Sequence, residues 1–418
     1  MGCERARASA VGPRINRRLR HLERNTKVSR RVYFAVFGSG LGHMTRMIDT
    51  AQRLGGGWDS IRFSCSGQGL DYIRKHHPQM DSVECPHLDV EWTDDGGFAS
   101  RDFVVHFPFM FRSFANQVAF EADSIGEFGP KVVVSDSRLS AVLAAKSKAR
   151  PVITMLNQFK VTLPPRYRGD ALGRLYERIA GNVLGLMWSL SEQVLLTDLP
   201  PPYTIGEANV AGTDLSRIVR YVGFTTPSLE MSEERLRKAR EVLEFDTRPL
   251  VFIQISGPDA TKRRFIDITL QSAAELSKRY KIVVSMGLLG GSGEPRRLAG
   301  GTLLYDWCPI KDELFALSDV MVARAGHRTI GQCIDAKKPA VLVPIHNHSE
   351  QLGNAEKFEK LGLGISILPG DLGPSRLTDS VDSCVRDPKY RNNLEAVSLV
   401  SSRYRGIEKC AEVIDSYA

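Results

Sequence analysis

Gly38-Ser39-Gly40-Leu41-Gly42-His43 follows a short apolar run and precedes a helical pattern. Glycines let a backbone turn tightly and come close to a ligand. A helix starting there offers unpaired N–H groups and a partial positive charge. The spacing G-x-G-x-G-H departs from the dinucleotide pattern G-x-G-x-x-G, and no clear acidic ribose partner stands about twenty residues later. His43 adds an imidazole that can take a proton from a hydroxyl near neutral pH. The plainer alternative is a histidine that only caps or packs the turn.

Three further places combine a strand end with polar chemistry. Val132-Val133-Val134-Ser135 runs into Asp136, a carboxylate that could orient His43, act as the base itself, or cap the next helix. Asn157-Gln158 ends the following strand and offers amides to a hydroxyl. Ser256-Gly257-Pro258 repeats the strand–glycine–helix arrangement in the second half, a turn that suits a phosphate. The fourth and most specific stretch runs from Ser318-Asp319-Val320 through Arg324-Ala325-Gly326-His327-Arg328-Thr329 to Gln332. It continues through Lys338-Pro339 and Pro344 to Glu350-Gln351-Leu352-Gly353-Asn354-Ala355. Gly326, His327, Arg328 and Thr329 at a helix start make a diphosphate cradle. Glu350, Gln351 and Asn354 can hydrogen-bond sugar hydroxyls.

Positioning these groups requires strands alternating with helices. Val32–Phe37, Ile61–Ser64, Lys131–Ser135 and Pro151–Leu156 read as strands of a first series. Leu250–Ile255, Lys281–Met286, Asp319–Ala323, Ala340–Pro344 and Gly364–Leu368 form a second. The alternation predicts parallel sheets in two doubly wound α/β domains. The expected division is a basic tail at 1–31, a first domain at 32–220, a second at 221–390 and a terminal crossing helix at 391–418.

The fourth stretch resembles the donor signature of the MurG-like glycosyltransferases of family 28. That signature reads roughly S-D-V-V-x-x-R-x-G-x-x-T, then P-x-x-x-V-P, then an acidic or Gln residue, Gln and N-A. The G-x-G-x-G-H-x-x-R form of the first turn, ending at Arg46, together with Ser135-Asp136 and Asn157-Gln158, looks closest to an archaeal branch of uncharacterised members. The resemblance implies the GT-B fold: two Rossmann-like domains facing across a cleft, with a C-terminal helix packing back across them. It implies transfer of a hexose or N-acetylhexosamine from a nucleotide-diphosphate sugar, a UDP-sugar in most members, to an acceptor hydroxyl that a polyprenyl lipid could carry. His43 and Asp136 would be catalytic. Gly40, Gly42, Arg46, Asn157 and Gln158 would meet the acceptor. Ser256, Gly257, Gly326, His327, Arg328, Thr329, Gln332, Glu350, Gln351 and Asn354 would meet the donor. Gln332 stands where the family usually has Glu against the ribose, which weakens the inference to UDP. A nucleotide-sugar epimerase and a non-catalytic nucleotide-sugar-binding protein are the alternatives.

No metal and no cofactor beyond the nucleotide-sugar are expected. Asp94-Asp95 lacks the strand context of a metal-binding acidic pair. The 7 cysteines are scattered without a CxxC pair, which fits reduced thiols in the cytoplasm. The net charge of +8 lies entirely in residues 1–31, so the rest of the chain is neutral and nucleic acid is not an expected partner. No run is long and apolar enough to span a bilayer, and no secretory leader is apparent. Met1-Gly2-Cys3 falls short of a myristoylation motif at Ala6. The tail could seek an anionic membrane surface, giving a peripheral protein at the inner face, or equally stay solvated or touch RNA. Phe103–Phe114 and Leu172–Leu190 read first as core and second as an exposed patch for a membrane or a lipid-linked acceptor.

Overall fold

The computed structural model describes residues 30–38, 40–54, 57, 60–87, 103–159, 171–210, 218–227 and 231–418. Ser39, Asp94-Asp95 and nearly all of the basic tail lie outside the described residues. The first half holds β1 (Val32–Val36), α1 (Leu41–Ala51), β2 (Ile61–Cys65), α2 (Gly67–His76), β3 (Asp81–Glu84), α3 (Phe103–Phe128) and β4 (Val132–Asp136). It continues with α4 (Leu139–Ser147), β5 (Val152–Leu156), α5 (Ala171–Trp188), β6 (Gln193–Leu196), α6 (Glu207–Val210) and β7 (Val219–Tyr221). These strands form one parallel sheet in the order β3-β2-β1-β4-β5-β6-β7. Helices cover both faces, so β1, β4 and β5 are buried along their whole length, as their apolar runs require.

The second half holds α7 (Glu233–Val242), β8 (Leu250–Gln254), α8 (Arg263–Leu276), β9 (Lys281–Ser285), β10 (Arg296–Arg297), β11 (Leu303–Tyr305) and α9 (Lys311–Leu317). Then come β12 (Val320–Ala323), α10 (His327–Asp335), β13 (Ala340–Leu342), α11 (Ser349–Lys360) and β14 (Gly364–Ser366). The sheet order is β10-β11-β9-β8-β12-β13-β14, parallel except for the β10–β11 pair. The chain closes with α12 (Pro374–Arg386), α13 (Pro388–Ser401) and α14 (Gly406–Asp415).

Strand order decides where ligands can sit. In both sheets the order reverses beside the first strand of the series, between β1 and β4 and between β8 and β12. Loops leaving such a pair diverge to opposite faces and open a crevice beyond the carboxyl ends of the strands. Val36 pairs with Asp136 and Gln254 with Ala323, so each crevice opens directly after these residues. The turns at Gly38–Gly42, Ser256–Gly257 and Ala325–Gly326 therefore lie where a doubly wound sheet binds ligands.

The terminal segment differs from the single helix its periodicity predicts. It divides into α13 and α14 at Arg405, whose backbone is left-handed with φ 43°. A Cβ on Gly406 would come within 2.3 Å of the Phe224 carbonyl oxygen, so the chain passes tightly against the inter-domain linker there. Leu394 and Val397 of α13 join the second sheet's core, which also takes in Leu199 and Ile205 from the first half. Cys410, Ala411, Val413 and Ile414 of α14 join the first sheet's core with Phe34, Met44 and Met47. The C-terminus thus fastens the two halves together.

The two segments read first as core also differ from that expectation. In α5, Leu184 packs inward and Trp188 is buried, its indole N–H donating to the Phe159 carbonyl at 3.2 Å. Leu175, Ile179, Val183 and Leu186 instead form an outward stripe, each between 51% and 71% exposed, and Leu190 just past the helix is exposed too. At 100° per residue these four fall within an arc of about 80°. Phe111 of α3 is exposed as well, while the side chains of Phe107 and Phe109 lie outside the described residues. Among the described residues no helix is long and apolar enough to cross a membrane.

Candidate active site

Gly38 and Gly40 shape the first turn. A Cβ on Gly38 would lie 2.2 Å from the Ser66 carbonyl oxygen, and Gly40 precedes α1 at φ 83°. Among the described residues no side chain caps this helix start, and none comes within 4 Å of the Cβ position of Gly40 or Gly42. The first-turn N–H groups have no side-chain partner among those residues. Beside the turn a cavity of about 540 Å³ is lined by Ser66, Gly67, Glu84, Cys85, Pro86, His87 and Phe120.

His43 stands in the first turn of α1 with its ring 5.5 Å from that of Phe37, edge to face. Its Nδ1 lies 2.9 Å from Asp136 Oδ1 and 3.1 Å from Arg46 Nη2. In the tautomer that donates Nδ1–H to the carboxylate, the lone pair is on Nε2, as a base needs. The His43 side chain is 23% exposed and that of Asp136 is fully buried. Asp136 is therefore shielded from solvent behind His43 and Ser137, whose Oγ donates to Oδ1 at 3.2 Å. Of the roles open to it in the sequence, the geometry supports orienting His43.

A buried carboxylate needs compensation, and Arg46 supplies it. Its Nε donates to Asp136 Oδ2 at 2.6 Å and its Nη2 to Oδ1, a two-pronged pairing. Burial alone would raise the Asp136 pKa, but Arg46 and then His43 outweigh it and hold the carboxyl well below the usual carboxylate range. Arg46 is itself only 5% exposed. This corrects the expectation that its side chain meets the acceptor: it lies behind Asp136, where Nη1 donates to Thr197 Oγ1 at 3.2 Å and Asn157 Oδ1 at 3.4 Å. Gln158 is partly exposed at the same strand edge, while Asn157 is buried and donates from Nδ2 to Glu350 Oε1 at 2.7 Å. That bond joins the first domain to the first turn of α11.

The second domain presents two turns. Gly257 has φ 110°, a conformation strained for any residue with a Cβ, and follows Ser256 at the end of β8. Gly326 precedes α10, again with no side-chain cap, so the first N–H groups of the helix are available to an anion. The side chains of His327 and Arg328 take no part in this cradle, contrary to expectation. His327 is buried against Phe224, with ring centroids 5.4 Å apart, and its Nε2 lies 2.9 Å from Asp198 Oδ2 without hydrogen-bond alignment. Arg328 donates to the Thr225 carbonyl and to Asp49 of the first domain. Both side chains are drawn to the inter-domain linker and the first domain. The cradle is left to the helix N–H groups and Thr329.

Glu350, Gln351 and Asn354 follow on α11. Gln351 Oε1 accepts from the Ile345 N–H at 3.0 Å. Asn354 Nδ2 donates to the Ala325 carbonyl at 3.2 Å, while its Oδ1 has no partner. Gln332 is buried with an unpartnered Nε2. These two unsatisfied atoms, in the second and first helices after the turn, carry a desolvation cost that a ligand hydroxyl can offset.

Arg324 is a member of this site that sequence reasoning quoted without a role. It is buried and lies over the Phe265 ring at 4.8 Å. It donates to the carbonyls of Thr261, Val343 and Pro344, and burial pulls its guanidinium down to about 10. It ties together three loops around the crevice. Its signal was its place in the donor signature. Among the described residues no group of three or more His, Cys, Asp or Glu is placed to hold a metal ion.

Residues 261–409 match the glycosyltransferase family 28 C-terminal domain. An uncharacterised glycosyltransferase of Methanopyrus kandleri is 26% identical over 336 residues, covering 79% of this chain and 90% of that protein. A UDP-N-acetylglucosamine–N-acetylmuramyl-(pentapeptide) pyrophosphoryl-undecaprenol N-acetylglucosamine transferase of Clostridium novyi is 29% identical over 189 residues, 43% of this chain and 50% of that one. The crystal structure of glycosyltransferase VinC in complex with dTDP superposes with a TM-score of 0.60 at 14% identity, covering 93% of this chain and 99% of that chain. The matched domain and the homologues thus define a glycosyltransferase that transfers a sugar from a nucleotide-sugar, and its fold is GT-B. More particularly, it carries the C-terminal domain of family 28 and has archaeal uncharacterised glycosyltransferases as homologues along most of its length.

Proposed function

We propose that the chain moves a hexose or N-acetylhexosamine from a UDP-sugar to the hydroxyl of a lipid-linked acceptor, with His43 as general base. The carrying observation is the His43–Asp136–Arg46 arrangement, whose exposed member stands at the switch point of the first sheet. On this reading the diphosphate lies on the uncapped start of α10 with Thr329 and the Ser256–Gly257 turn. Glu350, Gln351 and Asn354 meet the sugar, and Gln332 meets the ribose. Aligned N–H groups stabilise the leaving diphosphate, so the reading needs no metal. The acceptor approaches over Gly40, Gly42 and Gln158. The relatives that act on pyrophosphoryl-undecaprenol support a polyprenyl-linked acceptor.

Incubation with UDP-sugars, with and without a polyprenyl-phosphate acceptor, tests the reading. Nucleotide release coupled to a glycosylated lipid is expected. Sugar isomerisation without acceptor would identify an epimerase, and binding without turnover a sensor.

A lipid-linked acceptor calls for a peripheral position at the membrane. The outward stripe of α5 supplies an apolar face, with exposed Arg174 and Arg178 on the same helix. The tail supplies the chain's net charge of +8. Apolar burial at a bilayer surface and attraction to anionic lipid add to one another. Ile179→Glu with Leu186→Glu should therefore weaken binding to anionic liposomes about tenfold or more, and deletion of residues 1–31 should weaken it separately. Co-sedimentation equal to wild type for both variants would refute the membrane position.

A further inference from the structure

Arg46 touches the machinery of both substrates from one buried place. We propose that it is a positioning residue for each of them, and that Asn157 carries its influence across the cleft to Glu350. On the first-domain side, Nε and Nη2 hold both oxygens of Asp136, which fixes Oδ1 against His43 Nδ1. On the other side, Nη1 faces Asn157 Oδ1 at 3.4 Å and is steadied by Thr197 at 3.2 Å.

A guanidinium only donates, so it sets which way the Asn157 amide points. The oxygen faces Arg46, and the NH₂ group is left to face Glu350, 2.7 Å away in the other domain. Glu350 is thereby held by a donor whose orientation Arg46 decides. Burial works against the charged form of Arg46, and Asp136 outweighs it, with a smaller contribution from Glu350. One buried cation thus stands between two carboxylates, Asp136 behind the base and Glu350 beside the donor sugar. Asn157 has both ends engaged and is buried, which removes it from direct contact with the acceptor in this arrangement.

This inference rests on the reading of Glu350 as a donor-sugar contact, and the test separates the two. The probe is whichever of UDP-N-acetylglucosamine, UDP-glucose, dTDP-glucose and GDP-mannose the wild-type chain binds most tightly, with its bare nucleoside diphosphate as the control. Asn157→Asp keeps a partner for Arg46 but sets a second carboxylate against Glu350. Affinity for the nucleotide-sugar should fall about tenfold, as expected for a lost charge-assisted hydrogen bond plus repulsion. Affinity for the bare diphosphate should stay within about twofold. In the Glu350→Gln background the same Asn157→Asp change should cost less than about twofold, because the glutamine amide can donate to the new carboxylate. Arg46→Lys, which keeps charge but loses the fork, should lower kcat and raise the KM for the donor together.

If Glu350→Gln weakens sugar binding while Asn157→Asp does not, or costs the same in both backgrounds, the inference fails and the donor reading stands. If Glu350→Gln has no effect, or none of the four nucleotide-sugars binds, both fail.

Discussion

His43→Ala should lower turnover by about a hundredfold or more while leaving affinity for the nucleoside diphosphate nearly unchanged. General-base catalysis by a positioned side chain contributes on this scale. When Asp136 Oδ1 accepts from Nδ1, 2.9 Å away, Nε2 is left as the basic nitrogen. The imidazole stands on α1 of the first domain, whereas the α10 start and the Ser256–Gly257 turn, proposed to face the donor, belong to the second. Steady-state kinetics with a saturating donor, beside calorimetry with the bare diphosphate, separate the two effects. Near-wild-type turnover would reduce His43 to a residue that packs against Phe37 at the turn.

Asp136→Ala should destabilise the fold by about 3–5 kcal/mol, the cost of leaving one partner of a buried ion pair uncompensated. Arg46 is almost fully buried and, among the described residues, has no other carboxylate in hydrogen-bond contact. Asp136→Asn keeps the shape and should cost less stability, but it removes the charge that supports a protonated His43 during transfer, so turnover should fall in this variant too. The pH dependence follows from the direction of the Asp136 shift. Its folded pKa lies below the unfolded value, since Arg46 and His43 outweigh burial. The stabilisation is therefore complete above the ordinary carboxylate value of about 4 and is lost progressively as pH falls below it. Wild type should lose unfolding free energy on acidification through that range more steeply than Asp136→Asn. Equal acid sensitivity in urea titrations would contradict the buried pairing.

Much of this arrangement was legible because strand ends and glycine turns are local. The Val132–Ser135 run announces a strand buried on both faces, and Asp136 at its end follows directly. Arg46 stands three residues after His43 in a helical pattern, so their shared face could be read. Which of the two met solvent could not, because that depends on β4 and β5 packing beside β1. The switch points were equally hidden, since strand order is a non-local property. His327 and Arg328 sit in the middle of the donor signature, yet their side chains answer to Phe224, Asp198, Thr225 and Asp49, all remote in sequence. In α5 the positions 175, 179, 183 and 186 share a helical face in the sequence alone. Whether that face turned inward or outward depends on the core that takes up Leu184 and Trp188 instead, which is not local. The break at Arg405 follows from the close pass of Gly406 over the linker, which no local pattern marks.

The central claim is that donor and base meet across one cleft, the donor on the second sheet and the base on the first. A structure of the chain with a bound nucleotide-sugar tests it most directly. The diphosphate should lie against the N–H groups of His327, Arg328 and Thr329, with the sugar beside Glu350 and Gln351 and its anomeric carbon turned toward His43 Nε2. A nucleotide seated instead on the Gly38–Gly42 turn of the first sheet, with the α10 start empty, would contradict the account.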